Sequence, residues 1–109
     1  MTTLLLLLVL FNERTESARL APKYDAVTEV TSWDGTRADL VNSEYAIEVE
    51  WAEKWKESIG QSIYYSIVHN RKPGIILLRK KGLDVSRHIY RCQTVCAKVG
   101  ITLWIEDVE

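Results

Sequence analysis

Alternation of apolar and polar residues begins at Val27. Val27 to Trp33 reads as a strand, Asp34-Gly35 is a strong two-residue hairpin signal, and Thr36 to Val41 returns as a second strand. Asn42-Ser43-Glu44 supplies the next turn. Tyr45 to Glu50 alternates again, with Tyr45, Ile47 and Val49 on one face and Ala46, Glu48 and Glu50 on the other. The period then changes from two to 3.6. Trp51 to His69 predicts an amphipathic helix whose apolar arc holds Trp51, Ala52, Trp55, Ile59 and Ile63. Gly60 interrupts it at a cost of roughly 1 kcal/mol relative to alanine, which predicts close packing or the close approach of another group. Asn70 to Pro73 is a turn, and Gly74 to Arg79 is a nearly continuous apolar strand of the kind buried on both faces. Val85 to Val99 forms a further helix with Gly100 as its stop, and Ile101 to Ile105 a last strand. Upstream, residues 12 to 21 have helical composition, closed by Pro22 because the residue before proline avoids the α region.

The element order is therefore α-βββ-α-β-α-β, an α/β domain with a mixed central sheet flanked by helices. At 109 residues the chain suits one domain, with an N-terminal segment at 1–26 and a core at 27–105. The run Leu4 to Phe11 is apolar without a break. Eight residues of helix reach only about 12 Å against a hydrocarbon thickness of about 30 Å, so no stable membrane insertion is expected. The run reads either as a signal-peptide core, which would export the protein, or as a buried first helix or strand, which leaves it in the cytoplasm.

A formal net charge of -1 excludes the chain-wide cationic field of many nucleic-acid binders, so an anionic partner must be held locally. Positive charge gathers at Arg71, Lys72, Arg79, Lys80, Lys81, Arg87 and Arg91, and acids gather between Asp34 and Glu57. Such a split is either a solvated surface or a set of phosphate contacts. Cys92 and Cys96 are four apart, which is neither a redox nor a disulfide pattern. With His88 they make a one-sided helical row that could suggest zinc, but Val85, Ile89, Val95 and Val99 share that side and assign both cysteines to the core. His69, at the end of its helix, is expected to meet the last carbonyls.

The chemistry-bearing residues lie between Asp39 and Tyr65. Asp39 on the second strand and Glu48 on the third fall on one face of the sheet if the hairpin pairs in an odd-sum register. Two such carboxylates, with a carbonyl and waters, suit Mg²⁺ or Mn²⁺ beside a phosphate. At 100° per residue, Lys54, Ser58, Gln61 and Tyr65 fall within about 60° of helix surface. The bland alternative pairs Lys54 with Glu50 or Glu57 at helical spacing and leaves Gln61 and Tyr65 at the edge of the core.

The strings RADL, AIEVEW, EKWKESIGQSIYY and KPGIILL, between Arg37 and Leu78, resemble the PD-(D/E)xK nuclease superfamily, and the element order is similar to its restriction-endonuclease-like core. Gln61 and Tyr65 are similar to the Q-x3-Y pair of RecB-type and lambda-exonuclease-type members. The resemblance implies metal ligation by Asp39 and Glu48, with Glu50 as a further ligand, and a steadying role for Gln61 and Tyr65. It implies Mg²⁺ or Mn²⁺ as cofactor and nucleic acid as partner, with DNA favoured, and it admits a homodimer. One departure is that Glu50 stands where the family has its lysine, for which Lys54 is the migrated substitute. Members often add an acid from the first helix, here Glu13 or Glu16. The expected activity is metal-dependent hydrolysis of phosphodiester bonds, with Asp39, Glu48, Lys54, Gln61 and Tyr65 as catalytic residues. The rival is a catalytically inactive member of the same fold that serves nucleic-acid binding or a structural interaction.

Overall fold

A computed structural model describes residues 13–109, so the Leu4 to Phe11 run and the expectations attached to it lie outside the described residues. Residues 13–20 form the first helix, α1. Strands β1 (Val27–Thr31), β2 (Arg37–Val41) and β3 (Tyr45–Trp51) follow, then a 3-10 turn at Ala52–Lys54 and α2 (Trp55–Val68). The chain continues through β4 (Lys72–Lys80), α3 (Ser86–Val99) and β5 (Thr102–Val108). This is the α-βββ-α-β-α-β order expected, in one five-stranded sheet of spatial order β1-β2-β3-β4-β5. The first three strands form an antiparallel meander, and β3, β4 and β5 run parallel, each parallel link carried by a helix.

β4 is an interior strand between β3 and β5, and Gly74 to Leu78 are all buried, which is why that segment reads as an unbroken apolar run. Ile75 and Leu77 face one layer, with Trp55, Val85, Ile89, Cys92 and Cys96. Ile76 and Leu78 face the other, with Leu20, Leu40, Ile47 and Val49, edged by Tyr24, Tyr45, Trp51 and Trp104. Both cysteines are thus core residues, their sulfurs 3.7 Å apart. Gly100 ends α3 in the left-handed region at φ 81°, a conformation glycine adopts without penalty. Val99 departs from expectation and is exposed. Among the described residues no helix is long and apolar enough to cross a membrane.

The helix after β3 differs from its predicted pattern in an instructive way. The strand runs on to Trp51, whose ring packs on the layer opposite to α2, and α2 proper starts only at Trp55. Its buried stripe is Trp55, Ser58, Ser62 and Ser66, while Ile63 and Ile67 point outward. Each serine hydroxyl donates to the carbonyl three residues earlier, at 2.6 Å from Ser58 to Trp55, 3.0 Å from Ser62 to Ile59 and 2.6 Å from Ser66 to Ile63. A hydroxyl satisfied by its own helix can be buried as a small residue, and small residues let the helix axis lie close to the sheet. His69 also departs from expectation. Its main-chain N–H meets the carbonyls of Tyr65 and Ile67, but its buried Nε2 has no partner among the described residues.

The two element glycines have opposite surroundings. A Cβ on Gly74 would lie 2.8 Å from Trp104 Cζ3 and 3.2 Å from Ile47 Cγ1, whereas one on Gly60 would meet nothing within 4 Å. The close approach predicted at Gly60 is therefore absent among the described residues, and the one that exists is at Gly74. Gly74→Ala should lower stability by about 1–3 kcal/mol through overpacking. Gly60→Ala should raise it by about 1 kcal/mol through helix propensity. Urea midpoints of the two variants check this, and a Gly74→Ala midpoint equal to the parent's would contradict the packing described.

Candidate active site

Main-chain pairing between β2 and β3 covers only Leu40 with Ile47 and Val41 with Ala46. One step further along this odd-sum register Asp39 stands opposite Glu48, and there the carboxyl groups take over. The Val49 N–H donates to Asp39 Oδ2 at 2.9 Å, and the Asp39 N–H donates to Glu48 Oε2 at 3.2 Å. Two side chains thus satisfy main-chain donors where the strands part. Glu48 and Glu50 lie in register with Ile75 and Leu77 of β4, so they share the sheet face covered by α2.

Burial of these acids is nearly complete, with Glu48 5% and Glu50 7% exposed. Desolvation followed by the Asp39 charge pushes the Glu48 carboxyl up to about 9. Desolvation, then a hydrogen bond shared with Glu13, pushes Glu50 up to about 8. Desolvation, opposed by the Val49 N–H, raises Asp39 to about 6, and Arg14 is the cation that acts against it. Glu13 adds to the field at all three acids, whereas Glu16 is held by Arg19 at 2.6 Å. The structure thereby distinguishes the two α1 candidates and brings Glu13 to the cleft.

Of the residues expected on α2, Tyr65 reaches the acids. It shares a hydrogen bond with Thr36, and burial together with the charges of Glu48 and Asp39 raises its pKa. Gln61, one turn earlier, is exposed and makes no hydrogen bond among the described residues. Lys54 is exposed on the 3-10 turn, and among the described residues it pairs with neither Glu50 nor Glu57. The common polar stripe expected for Lys54, Ser58, Gln61 and Tyr65 does not form. Lys54 precedes the α-helix, and Ser58 is wholly buried against the sheet.

Three residues at the cleft carried no signal in the sequence. Arg14, Glu29 and Arg37 join Glu13 and Asp39 around a cavity of about 170 Å³. Glu29 stands in β1 at φ 50°, in the left-handed region that costs a non-glycine residue roughly 1–2 kcal/mol. Its carboxylate meets Arg14 at 3.1 Å and Arg37 at 3.7 Å. Backbone strain of this kind tends to gather at functional sites. A larger cavity, about 350 Å³, lies away from the acids between Arg79–Leu83 and Asp107–Glu109. There Arg79 is paired with Asp107 and Lys81 with Glu109, so part of the basic cluster noted in the sequence is neutralised locally.

Among the described residues no group of three or more His, Cys, Asp or Glu is arranged as a ready metal cage. The donor chemistry nevertheless fits a hard divalent cation. The carboxyls raise one another's pKa with Arg14 opposing the shift at Asp39 alone, and Mg²⁺ needs only one or two carboxylates when it keeps its waters. The metal-free protein has a definite pH signature. These carboxyls are raised in the folded state above their unfolded values near 4, so the native chain binds more protons than the unfolded one, and stability falls as pH rises from about 4 to about 9. Glu48→Gln keeps an acceptor for Asp39 and should raise the metal-free Tm at pH 8, by several degrees at roughly 4–8 °C per kcal/mol. Mg²⁺ or Mn²⁺ should raise the parent's Tm more at pH 8 than at pH 5. A flat stability profile over that range would contradict the raised carboxyl pKa values.

Two proteins of Acanthamoeba polyphaga mimivirus, both named as KilA-N domain-containing, are similar to this chain over 95 residues, at 30% and 32% identity. The similar region is 87% of this chain but only 26% of one relative and 37% of the other, so the chain spans roughly a quarter to a third of their length. No protein-family profile matches the chain. No solved structure matches it either.

Proposed function

We propose that this domain acts on DNA and that the carboxylate cleft between β2 and β3 hydrolyses phosphodiester bonds as a member of the PD-(D/E)xK group. The observation that carries the reading is the pair of buried carboxyls Glu48 and Glu50 beside the half-buried Asp39, all three raised in pKa, with Arg14 opposing the shift at Asp39 alone, next to the Arg14–Glu29–Arg37 cavity. Asp39 and Glu48, with Glu50, would hold Mg²⁺ or Mn²⁺. Such an ion supplies Lewis acidity toward the phosphodiester and lowers the pKa of attacking water. The chain's own residues do the rest. The Val49 N–H fixes the Asp39 carboxylate in place and the Asp39 N–H fixes that of Glu48. Tyr65 presents a hydroxyl toward the acids, and Arg14 and Arg37 are placed to meet the flanking phosphates. Lys54, an exposed ammonium three residues beyond β3, is the cation that would neutralise charge developing in the transition state.

The relatives favour a second reading, a nucleic-acid-binding module of the same fold without catalysis, over the hydrolytic one. Both relatives are named for KilA-N, a DNA-binding domain, and Glu50 stands where the PD-(D/E)xK pattern has its lysine. In that reading the cleft is a remnant, and the domain binds DNA without cutting it. The two readings share the partner and differ in the chemical step.

Single-turnover assays with Mg²⁺ or Mn²⁺ on single-stranded, duplex and branched DNA separate them. The parent chain should cleave at least one substrate, and Asp39→Asn should abolish cleavage. Lys54→Met should slow it by roughly 10²–10³-fold with metal binding kept. Lys56→Met should have little effect. Retained DNA binding with no cleavage above the Asp39→Asn background would establish the binding module instead.

A further inference from the structure

We infer that the site takes nucleic acid with unpaired bases, which stack on Trp33 and Tyr64; this rests on the proposed function and names its substrate class. Trp33 stands at the tip of the β1–β2 hairpin and is 85% exposed, the most exposed of the large apolar side chains among the described residues. Folding does not account for a tryptophan there, since it adds nothing to either core layer. The tip is nonetheless rigid. Asp34 Oδ1 accepts from the Thr36 N–H at 3.1 Å and from the Thr36 hydroxyl at 2.6 Å, and the Ser32 hydroxyl donates to the same oxygen. The other Asp34 oxygen accepts from the Tyr64 hydroxyl, so this one carboxylate fixes the turn and the neighbouring ring together.

That ring leads back to the acids. Tyr64 is 44% exposed, and its ring meets Tyr65 edge to face, with centroids 5.6 Å apart. Tyr65 is bonded to Thr36 and feels the charges of Asp39 and Glu48. Tyr64 therefore stands between Tyr65 and the Asp34 turn that carries Trp33, so the two exposed rings are tied to one hydrogen-bonded support.

Charge argues for the same occupant. The net charge is -1, and Arg14, Arg37, Lys72, Arg79 and Lys81 are each engaged with an acid. A duplex offers chiefly phosphates at its surface, and its affinity comes from cations free to release counterions. A strand with unpaired bases offers π faces, and stacking is worth enough per base to replace much of that term. Exposed rings beside a cavity whose two arginines are already paired with Glu29 fit the second kind of ligand.

Fluorescence anisotropy of a labelled oligothymidylate and of a mixed-sequence duplex, on the full chain with Ca²⁺ in place of Mg²⁺, tests the inference. The single strand should bind at least tenfold tighter than the duplex, with a shallow salt dependence. Trp33→Ala should weaken single-strand binding by about tenfold or more, and Trp33→Phe should recover most of it. The Tm shift on adding Mg²⁺ should be the same in all three proteins, because position 33 is outside the cleft. Equal or tighter duplex binding, or unchanged affinity in Trp33→Ala, would overturn the stacking inference. Mg²⁺-dependent duplex cleavage with Trp33→Ala fully active would overturn it while leaving the proposed hydrolysis standing. Absence of both the metal shift and cleavage, with single-strand stacking intact, would remove the hydrolytic reading and keep the stacking inference.

Discussion

The exchange of main-chain for side-chain hydrogen bonds between β2 and β3 is the constraint on which the rest of the molecule depends. Beyond Leu40 and Ile47 the strands stop pairing, and each needs an acceptor for an N–H that the ladder no longer serves. Asp39 and Glu48 provide those acceptors across the gap. An ionised carboxylate is a strong acceptor, and two of them side by side repel. The same contacts that close the gap thus create a site of high carboxyl pKa that is most stable when protonated. Structural and chemical demands are met by one pair of residues, which is why removing either charge should affect folding as well as any reaction.

Helix α2 lies close over β3 and β4, and the serine stripe makes that possible. Larger side chains at positions 58, 62 and 66 would lift the helix from the sheet, and Tyr65 would lose its place beside the acids. On the opposite layer Trp104 occupies the space that Gly74 leaves free, so β4 is clamped between a helix packed through small residues and a large aromatic ring. The outward-facing Ile63 and Ile67 follow from this choice. Once serines occupy the inner stripe, the apolar residues between them turn toward solvent.

Charge is arranged economically. Most basic residues near strand ends meet an acid on a neighbouring element, as in Arg79 with Asp107 and Lys72 with Glu44, and exposed pairs of this kind contribute little to stability. Their consequence is for recognition, since a paired cation attracts phosphate weakly. Arg14 and Arg37 differ in position. They hold a strained Glu29 at the mouth of the cleft, where an incoming anion could compete for them.

Much of the fold was legible in the residues themselves. Asp34-Gly35 marks the first hairpin, but the Ser32 N–H donates to the Thr36 carbonyl and so the tip is three residues, Trp33 to Gly35, where two were expected. Period-two and period-3.6 patterns and Gly100 give the order of elements, and the identity of Asp39 and Glu48 with their spacing gives the facing pair. These are local properties, fixed by sterics and alternation over a few residues. What only the tertiary structure decided concerns contacts between segments distant in the chain. Glu13 rather than Glu16 faces the acids because α1 crosses near the end of β2, and no period within α1 encodes that placement. Gly74, not Gly60, needs its missing side chain, because Trp104 arrives from β5. The inner face of α2 is serine rather than isoleucine, because a hydroxyl bonded to its own helix is as easily buried as a methyl group, an equivalence that a hydrophobicity pattern does not register. Glu29 and Arg37 carried no signal for a like reason: their role depends on Arg14, and on a backbone twist that appears only when β1 is paired with β2 and α1 is in place.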